Sequence, residues 1–247
     1  IMLYVMMEPS SFSTDSWKTI INAVRNNNIS KYNLGDTKEI DLGDYGTHTV
    51  RVANTTTPTE CSTEGFSQTA CGFVIEFADI ITTHYMNPSG TYKGKTYNNG
   101  WNVGGWPASS MYTFVNNDIF NTLPSDLRSV IIDTIVVSSH GSSDTDNFIS
   151  TDKLYLLSGK EIYEDFADEK DTSKDLTRQL DYYKQEGVNT SKYEKVAKMY
   201  GKTALDWWFR SAGRYDGCFY CANRTGKLYN NIYAISNIGV SPAFRIG

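Results

Sequence analysis

Residues 207–247 read WWFRSAGRYDGCFYCANRTGKLYNNIYAISNIGVSPAFRIG. Short β-prone runs alternate here with Gly213, Gly217, Gly226 and Gly239, residues that give the backbone the freedom a tight turn needs. The stretch therefore predicts a series of hairpins. Within it lie Tyr215, Asp216, Phe219, Tyr220, Asn223, Tyr229, Asn230, Asn231, Tyr233, Ser236 and Asn237. Tyrosine supplies large, rigid contact area with few rotamers to freeze, while Asn and Ser supply hydrogen bonds that adapt to a partner. These residues are candidate ligand-binding positions, with Tyr215, Tyr220, Tyr229 and Tyr233 as anchors. The alternative is a set of ordinary Gly/Asn-rich hairpins whose tyrosines pack inward. Tyrosine exposure separates the two.

Upstream of this stretch, 163–202 is rich in Asp, Glu and Lys, with helical hints at 177–186 and 193–200; it reads as a charged, solvated insertion. Val130–Val137 is continuous and β-branched and predicts a buried strand, followed by a second at Lys153–Leu157. Ser109–Leu123 spaces Met111, Phe114, Val115, Ile119 and Phe120 three and four apart, and Pro124 ends that helix and starts another. Asn87–Gly105 carries five glycines among asparagines and aromatics, which predicts a long irregular loop pinned by Trp101 and Trp106. The apolar block from Phe73 to Ile81 is core. Lys38–Asn54 predicts a hairpin around Gly43-Asp44-Tyr45-Gly46. Trp17, Ile20, Ile21 and Val24 predict a helix capped by Ser13 or Asp15 and stopped by Asn26-Asn27-Asn28. The opening Ile1–Met7 reads as an entering strand. No repeat of fixed period is visible, and the chain is expected to form one domain over 1–247.

Length and charge exclude several classes. The 247 residues suffice for a self-supporting core. With 23 basic and 28 acidic residues the formal charge is −5, opposite to the basic excess that phosphate-backbone binding needs, so no nucleic-acid partner is expected. No apolar run approaches the roughly 20 residues of a membrane-spanning helix. Uncharged polar residues are abundant (19 Asn, 25 Thr and 23 Ser), a mixture associated with exported bacterial and virion proteins.

Chemistry-bearing constellations are sparse. His48, His84 and His140 stand alone, without a second ligand at the three- or four-residue spacing of zinc sites. There is no Gly-x-Ser-x-Gly turn, and the adjacent Ser139 and His140 point apart in an extended chain. Asp144 and Asp146 lack the glycine and distal glutamate of a calcium loop. Cys61 and Cys71 could close a nine-residue loop as a disulfide in an exported chain, or stay as free buried thiols. Cys218 and Cys221 have the spacing of a metal half-site without a second pair. No metal, cofactor or catalytic residue is expected.

Gly105-Trp106-Pro107-Ala108-Ser109-Ser110-Met111, Leu123-Pro124-Ser125-Asp126-Leu127, Thr151-Asp152-Lys153-Leu154-Tyr155-Leu156-Leu157-Ser158, Trp207-Trp208-Phe209-Arg210-Ser211 and Gly239-Val240-Ser241-Pro242-Ala243-Phe244-Arg245-Ile246 occur in this order. Together they resemble a large family of uncharacterised bacterial and phage domains, similar to C-type-lectin-like proteins and to the variable proteins of diversity-generating retroelements. The resemblance implies an α+β, C-type-lectin-like fold with a central antiparallel sheet, flanking helices and long irregular loops. The terminal strand near Ala243–Ile246 would lie in that sheet, and Trp106, Trp207, Trp208 and Phe244 would be buried. It also implies a non-enzymatic module of a bacterial surface or phage particle that binds a protein or cell-surface ligand, with 207–247 as the variable region and Cys218 and Cys221 as products of diversification. Calcium-dependent sugar-binding motifs are missing, and homo-oligomerisation stays open. An enzyme related to formylglycine-generating proteins and a purely structural surface domain are the alternatives.

Overall fold

The computed structural model describes residues 8–167 and 175–247; the expected strand at Ile1–Met7 lies outside them. The first helix, α1 (Trp17–Arg25), buries Trp17, Ile20 and Ile21. Its cap is Ser16, whose side chain accepts from the Thr19 N–H. Asp15, one of the two expected caps, instead accepts from the Ser10 N–H and hydroxyl and from the Tyr32 hydroxyl. The strands β1 (Thr37–Asp41), β2 (Thr47–Asn54) and β3 (Val74–Phe77) follow, then β4 (Thr82–His84). Contrary to expectation, the glycine-rich loop holds a small hairpin, β5 (Gly90–Tyr92) and β6 (Lys95–Tyr97). Lys93 and Gly94 at its tip both have positive φ, the requirement of the two-residue turn whose twist matches a hairpin.

A helical stretch comes next: α2 (Ser110–Thr113), a π-turn over Phe114–Ile119, and α3 (Phe120–Thr122), then α4 (Ser125–Arg128) beyond Pro124. The strands β7 (Thr134–Ser138) and β8 (Phe148–Asp152) pair as a separate ribbon on which Ile135 and Ile149 are exposed, so β7 is not covered on both faces. Then come β9 (Tyr155–Leu156), α5 (Gly159–Ile162), α6 (Asp181–Gln185), and the hairpin β10 (Lys198–Tyr200) and β11 (Thr203–Leu205). The opening quoted stretch forms β12 (Trp207–Ala212), β13 (Cys218–Ala222), β14 (Leu228–Tyr233), β15 (Ile238–Val240) and β16 (Pro242–Arg245).

Two five-stranded sheets organise the molecule, in the orders β1-β2-β3-β16-β9 and β14-β13-β12-β15-β4. The first is antiparallel throughout and holds the terminal strand β16 between β3 and β9. The second is antiparallel except where β12 runs parallel to β15. The fold is thus mixed α+β, rich in strand and with few helices. Trp106, Trp207, Trp208 and Phe244 are fully buried in one core cluster that runs from Phe12 to Ile246.

The described residues of 163–202 do not form the wholly solvated insertion that their composition suggests. Tyr163, Tyr182, Tyr183, Val188, Val196 and Lys198 are buried. Its charged and phenolic groups meet buried charges of the first sheet: Lys198 Nζ lies 2.8 Å from Glu76 Oε2, Tyr183 donates to the same carboxylate at 3.0 Å, and Arg51 Nε pairs with Glu76 Oε1 at 2.8 Å. A buried charge persists only when paired and hydrogen-bonded. The helical hint at 193–200 resolves into a single 3-10 turn at Glu194–Val196 followed by β10.

A second buried pair ties the quoted Trp-Trp-Phe-Arg-Ser block to α5. Arg210 grips both oxygens of Glu161, each at 2.7 Å, the bidentate geometry that suits a guanidinium. Glu161 also closes a capping box with Ser158 and accepts from Thr177, and the Thr69 hydroxyl reaches it as well. Thr69 sits in the loop closed by Cys61 and Cys71, whose sulfurs are bonded.

Candidate functional site

The candidate residues divide by the strand that carries them. Strand β14 is the edge of its sheet, and its Tyr229, Asn230 and Asn231 are exposed, as is Tyr233. Leu228 and Ile232 turn partly inward onto the core. Pairing Phe219 with Ile232 and Cys221 with Tyr229 takes two steps along β13 but three along β14, so one extra β14 residue is accommodated around Asn230 and Asn231. Such a bulge re-aims side chains locally; here it gives three consecutive exposed positions where strict alternation would turn one inward. Tyr215, Tyr229 and Tyr233 keep 56%, 49% and 52% of their surface exposed. Asn237 is exposed, and Asp216, Asn223 and Ser236 are half-buried.

Phe219 and Tyr220 do not belong to this surface. Strand β13 lies between β12 and β14 and is covered on both faces, so alternation hides both side chains. Phe219 stands edge-on to Trp208 at 6.4 Å, and Tyr220 edge-on to Phe166 at 5.2 Å. The proposed anchor Tyr220 is thereby a core residue. Cys218 and Cys221 share that strand as buried thiols outside any disulfide, and burial pushes the Cys221 thiol well up. Asn223 is chiefly a turn builder: its Oδ1 accepts from Thr225 N, Thr225 Oγ1 and Lys227 N.

The turn carrying Tyr215 and Asp216 is held by loops that the sequence reading left outside the site. Asn102 is fully buried, and its Nδ2 lies within 2.9 Å of the carbonyl oxygens of Gly213, Tyr215 and Cys218. Its own N–H donates to Asp216 O at 2.7 Å. Close approach depends on glycine: a Cβ on Gly141 would stand 2.6 Å from Asn102 Nδ2, and one on Gly100 (φ +75°) 2.6 Å from Asn87 O and 2.9 Å from Ala234 Cβ. Ile235 N donates to Asn99 O, which joins the end of β14 to the same loop.

The β5–β6 hairpin completes the neighbourhood. Tyr92 stacks on Trp101 with centroids 4.9 Å apart, and Tyr97 leans on the same indole. Lys95 Nζ bridges to Asp216 Oδ2 at 2.6 Å, and Ser143 donates to Asp216 Oδ1. The Lys95 hydrogen bond holds the Asp216 carboxyl below its usual range. Tyr92, Lys95, Tyr97, Trp101, Asn102 and Ile235 are therefore part of the setting. The Lys93-Gly94 turn between Thr91-Tyr92 and Thr96-Tyr97 was the readable signal.

His48 bonds to Asp79 and to Tyr45 O, His84 stacks on Phe114, and His140 meets Gly141 O. Among the described residues no three His, Cys, Asp or Glu side chains group as a metal site, and no helix is long and apolar enough to cross a membrane.

No curated protein and no solved structure matches this chain. A family whose description is Domain of unknown function (DUF6273) matches residues 78–247, which include β4 through β16 and the whole candidate surface. The chain belongs to the DUF6273 family.

Proposed function

We propose that the chain is a ligand- or receptor-binding module of a bacterial surface or phage particle, with a C-type-lectin-like architecture and no enzymatic role. Its binding face comprises Tyr215, Tyr229, Asn230, Asn231, Tyr233 and Asn237, with Asp216 and Ser236 at the margin. The observation that carries this reading is the exposure of three tyrosines by half on an edge strand and its neighbouring turn, clear of the core. Exposed aromatics at the centre of a polar patch are the side chains on which interface energy concentrates. Their surroundings are pre-formed by Asn102 and the Lys95–Asp216 bridge, which lowers the ordering cost of binding. The partner on this reading is a protein or cell-surface ligand.

The test is adhesion of the purified chain to bacterial cells and to a protein array. The double variant Tyr215→Ala/Tyr233→Ala is expected to lose at least about tenfold in affinity, the factor that ~1.4 kcal/mol represents, with an unchanged melting temperature. An intact chain that binds nothing, or a variant that unfolds, makes the tyrosines structural and overturns the reading.

A further inference from the structure

Beside β14 and the turn that precedes it lies a shallow cavity of about 420 Å³, lined by Asp206, Asn223, Arg224, Tyr229 and Ile232. Its volume falls within the ~300–1,000 Å³ of small-molecule sites. The floor is rigid. Arg224 N donates to Asp206 Oδ1 at 2.8 Å, Gly239 N to Asp206 O at 2.8 Å, and Tyr163 to Gly226 O at 2.6 Å. Gly226 (φ +88°) lies so close against Tyr193 O and Ala197 N that a Cβ would not fit. The 223–227 turn is thus locked by its own side chains and by the core beneath it.

What this turn presents is unspent. Among the described residues Asp206 Oδ2 and the Arg224 guanidinium have no hydrogen-bond partner, and no ion pair joins the two side chains. The lining therefore offers one negative and one positive group at adjacent corners, beside the Tyr229 ring and the Ile232 side chain. A polyanion would meet Asp206 and a polycation Arg224, each repelled at one corner. A neutral polyol would hydrogen-bond to both groups but neutralise neither charge. A ligand with an ammonium and a carboxylate compensates both.

We infer that this cavity is a binding site for an amino-acid-like zwitterion with an apolar side chain. Its ammonium faces Asp206, its carboxylate faces Arg224, and the side chain lies on Tyr229 and Ile232. A free amino acid and a short peptide share this chemistry. The site goes beyond the binding face above, with which it shares Tyr229.

Ligand-observed NMR titration with L-phenylalanine, L-leucine and Leu-Leu tests it, with phenethylamine, 3-phenylpropionate and methyl glucoside as controls. At least one zwitterion is expected to bind in the millimolar range, and the dipeptide arm tells a free amino acid from a peptide. Each analogue lacking one charge is expected to bind at least about tenfold more weakly, as is each of the variants Asp206→Asn and Arg224→Ala. Asp206→Asn retains an acceptor for Arg224 N, and Arg224 is exposed, so both variants keep the wild-type melting temperature. Absence of binding by all three zwitterions, equal binding of the controls, or full binding by Arg224→Ala overturns the inference. Tyr215→Ala/Tyr233→Ala leaves these titrations unchanged, so failure here and failure of the adhesion reading are read separately.

Discussion

Asp152 ends β8, and Asp152→Asn probes how that position is held. Its side chain is 1% exposed; Oδ2 accepts from Trp106 Nε1 at 2.8 Å, while Oδ1 is buried with no hydrogen-bond partner. Burial raises the carboxyl to about 6, from 3.8. The folded chain then holds a proton between those two values that the unfolded chain has released. The stability tied to this proton is complete below about pH 4 and is lost as pH rises through 6. At about 1.36 kcal/mol per pH unit, ionised Asp152 costs the fold about 3 kcal/mol at neutral pH. Asparagine keeps the acceptor for Trp106 and cannot ionise. Its amide also has Ser150 Oγ near it, itself buried without a partner. The variant is therefore expected to be more stable than wild type at pH 7, by up to ~3 kcal/mol or about 6–12 °C in melting temperature. That advantage shrinks toward zero at pH 4. Urea unfolding at pH 4, 5, 6 and 7 measures it. A difference between variant and wild type that stays constant over this range refutes the reasoning.

Two further outcomes follow from the buried network. Reducing Cys61–Cys71, or replacing both by Ser, is expected to cost about 2–3 kcal/mol for a loop of this length, measured by urea unfolding with and without reductant, and hydrogen exchange should rise first around Thr69. Glu161→Gln removes the carboxylate that Arg210 grips and leaves the guanidinium to the weaker attraction of buried Asp175, which is expected to destabilise the chain by up to about 3–5 kcal/mol, read as a fall in the urea midpoint.

Much of the frame is legible because it rests on residues whose burial is nearly obligatory. Trp106, Trp207, Trp208 and Phe244 go inside because of their size and apolarity, and they bring β12 and β16 with them. The hairpin around Gly43–Gly46 and the helix after Ser16 follow from local turn and cap chemistry, although the capping residue is off by one to three positions because three oxygen-bearing side chains compete there. What misled is non-local. Lys198 and Tyr183 look solvated in sequence because Glu76 lies 122 residues from Lys198 and 107 from Tyr183. Nothing near Tyr220 announces that Phe166 covers it. The hairpin β5–β6 was hidden by its glycines, which mark turns and also mark disorder.

The division between Tyr220 and Tyr229 marks the boundary between the core and the proposed binding face. Both belong to one Tyr/Asn-rich run, yet β13 is flanked on both edges and covered on both faces, whereas β14 has a free edge and, past its bulge, a free face. A substitution at Tyr220 must be repacked against Phe166 and the core, at a cost of several kcal/mol for a large-to-small change. One at Asn231, which is exposed, falls in the class of surface changes worth about 0.5 kcal/mol or less, and one at Tyr229 or Tyr233 puts only the buried half of the ring at stake. The chain can therefore vary the exposed positions of β14 almost independently of its fold. The turn around Tyr215 and Asp216, fixed from below by Asn102, keeps its geometry while its outward side chains change. That separation, more than any single contact, is why the proposed binding face is confined to β14 and its neighbouring turn and leaves out the rest of the Tyr/Asn-rich run.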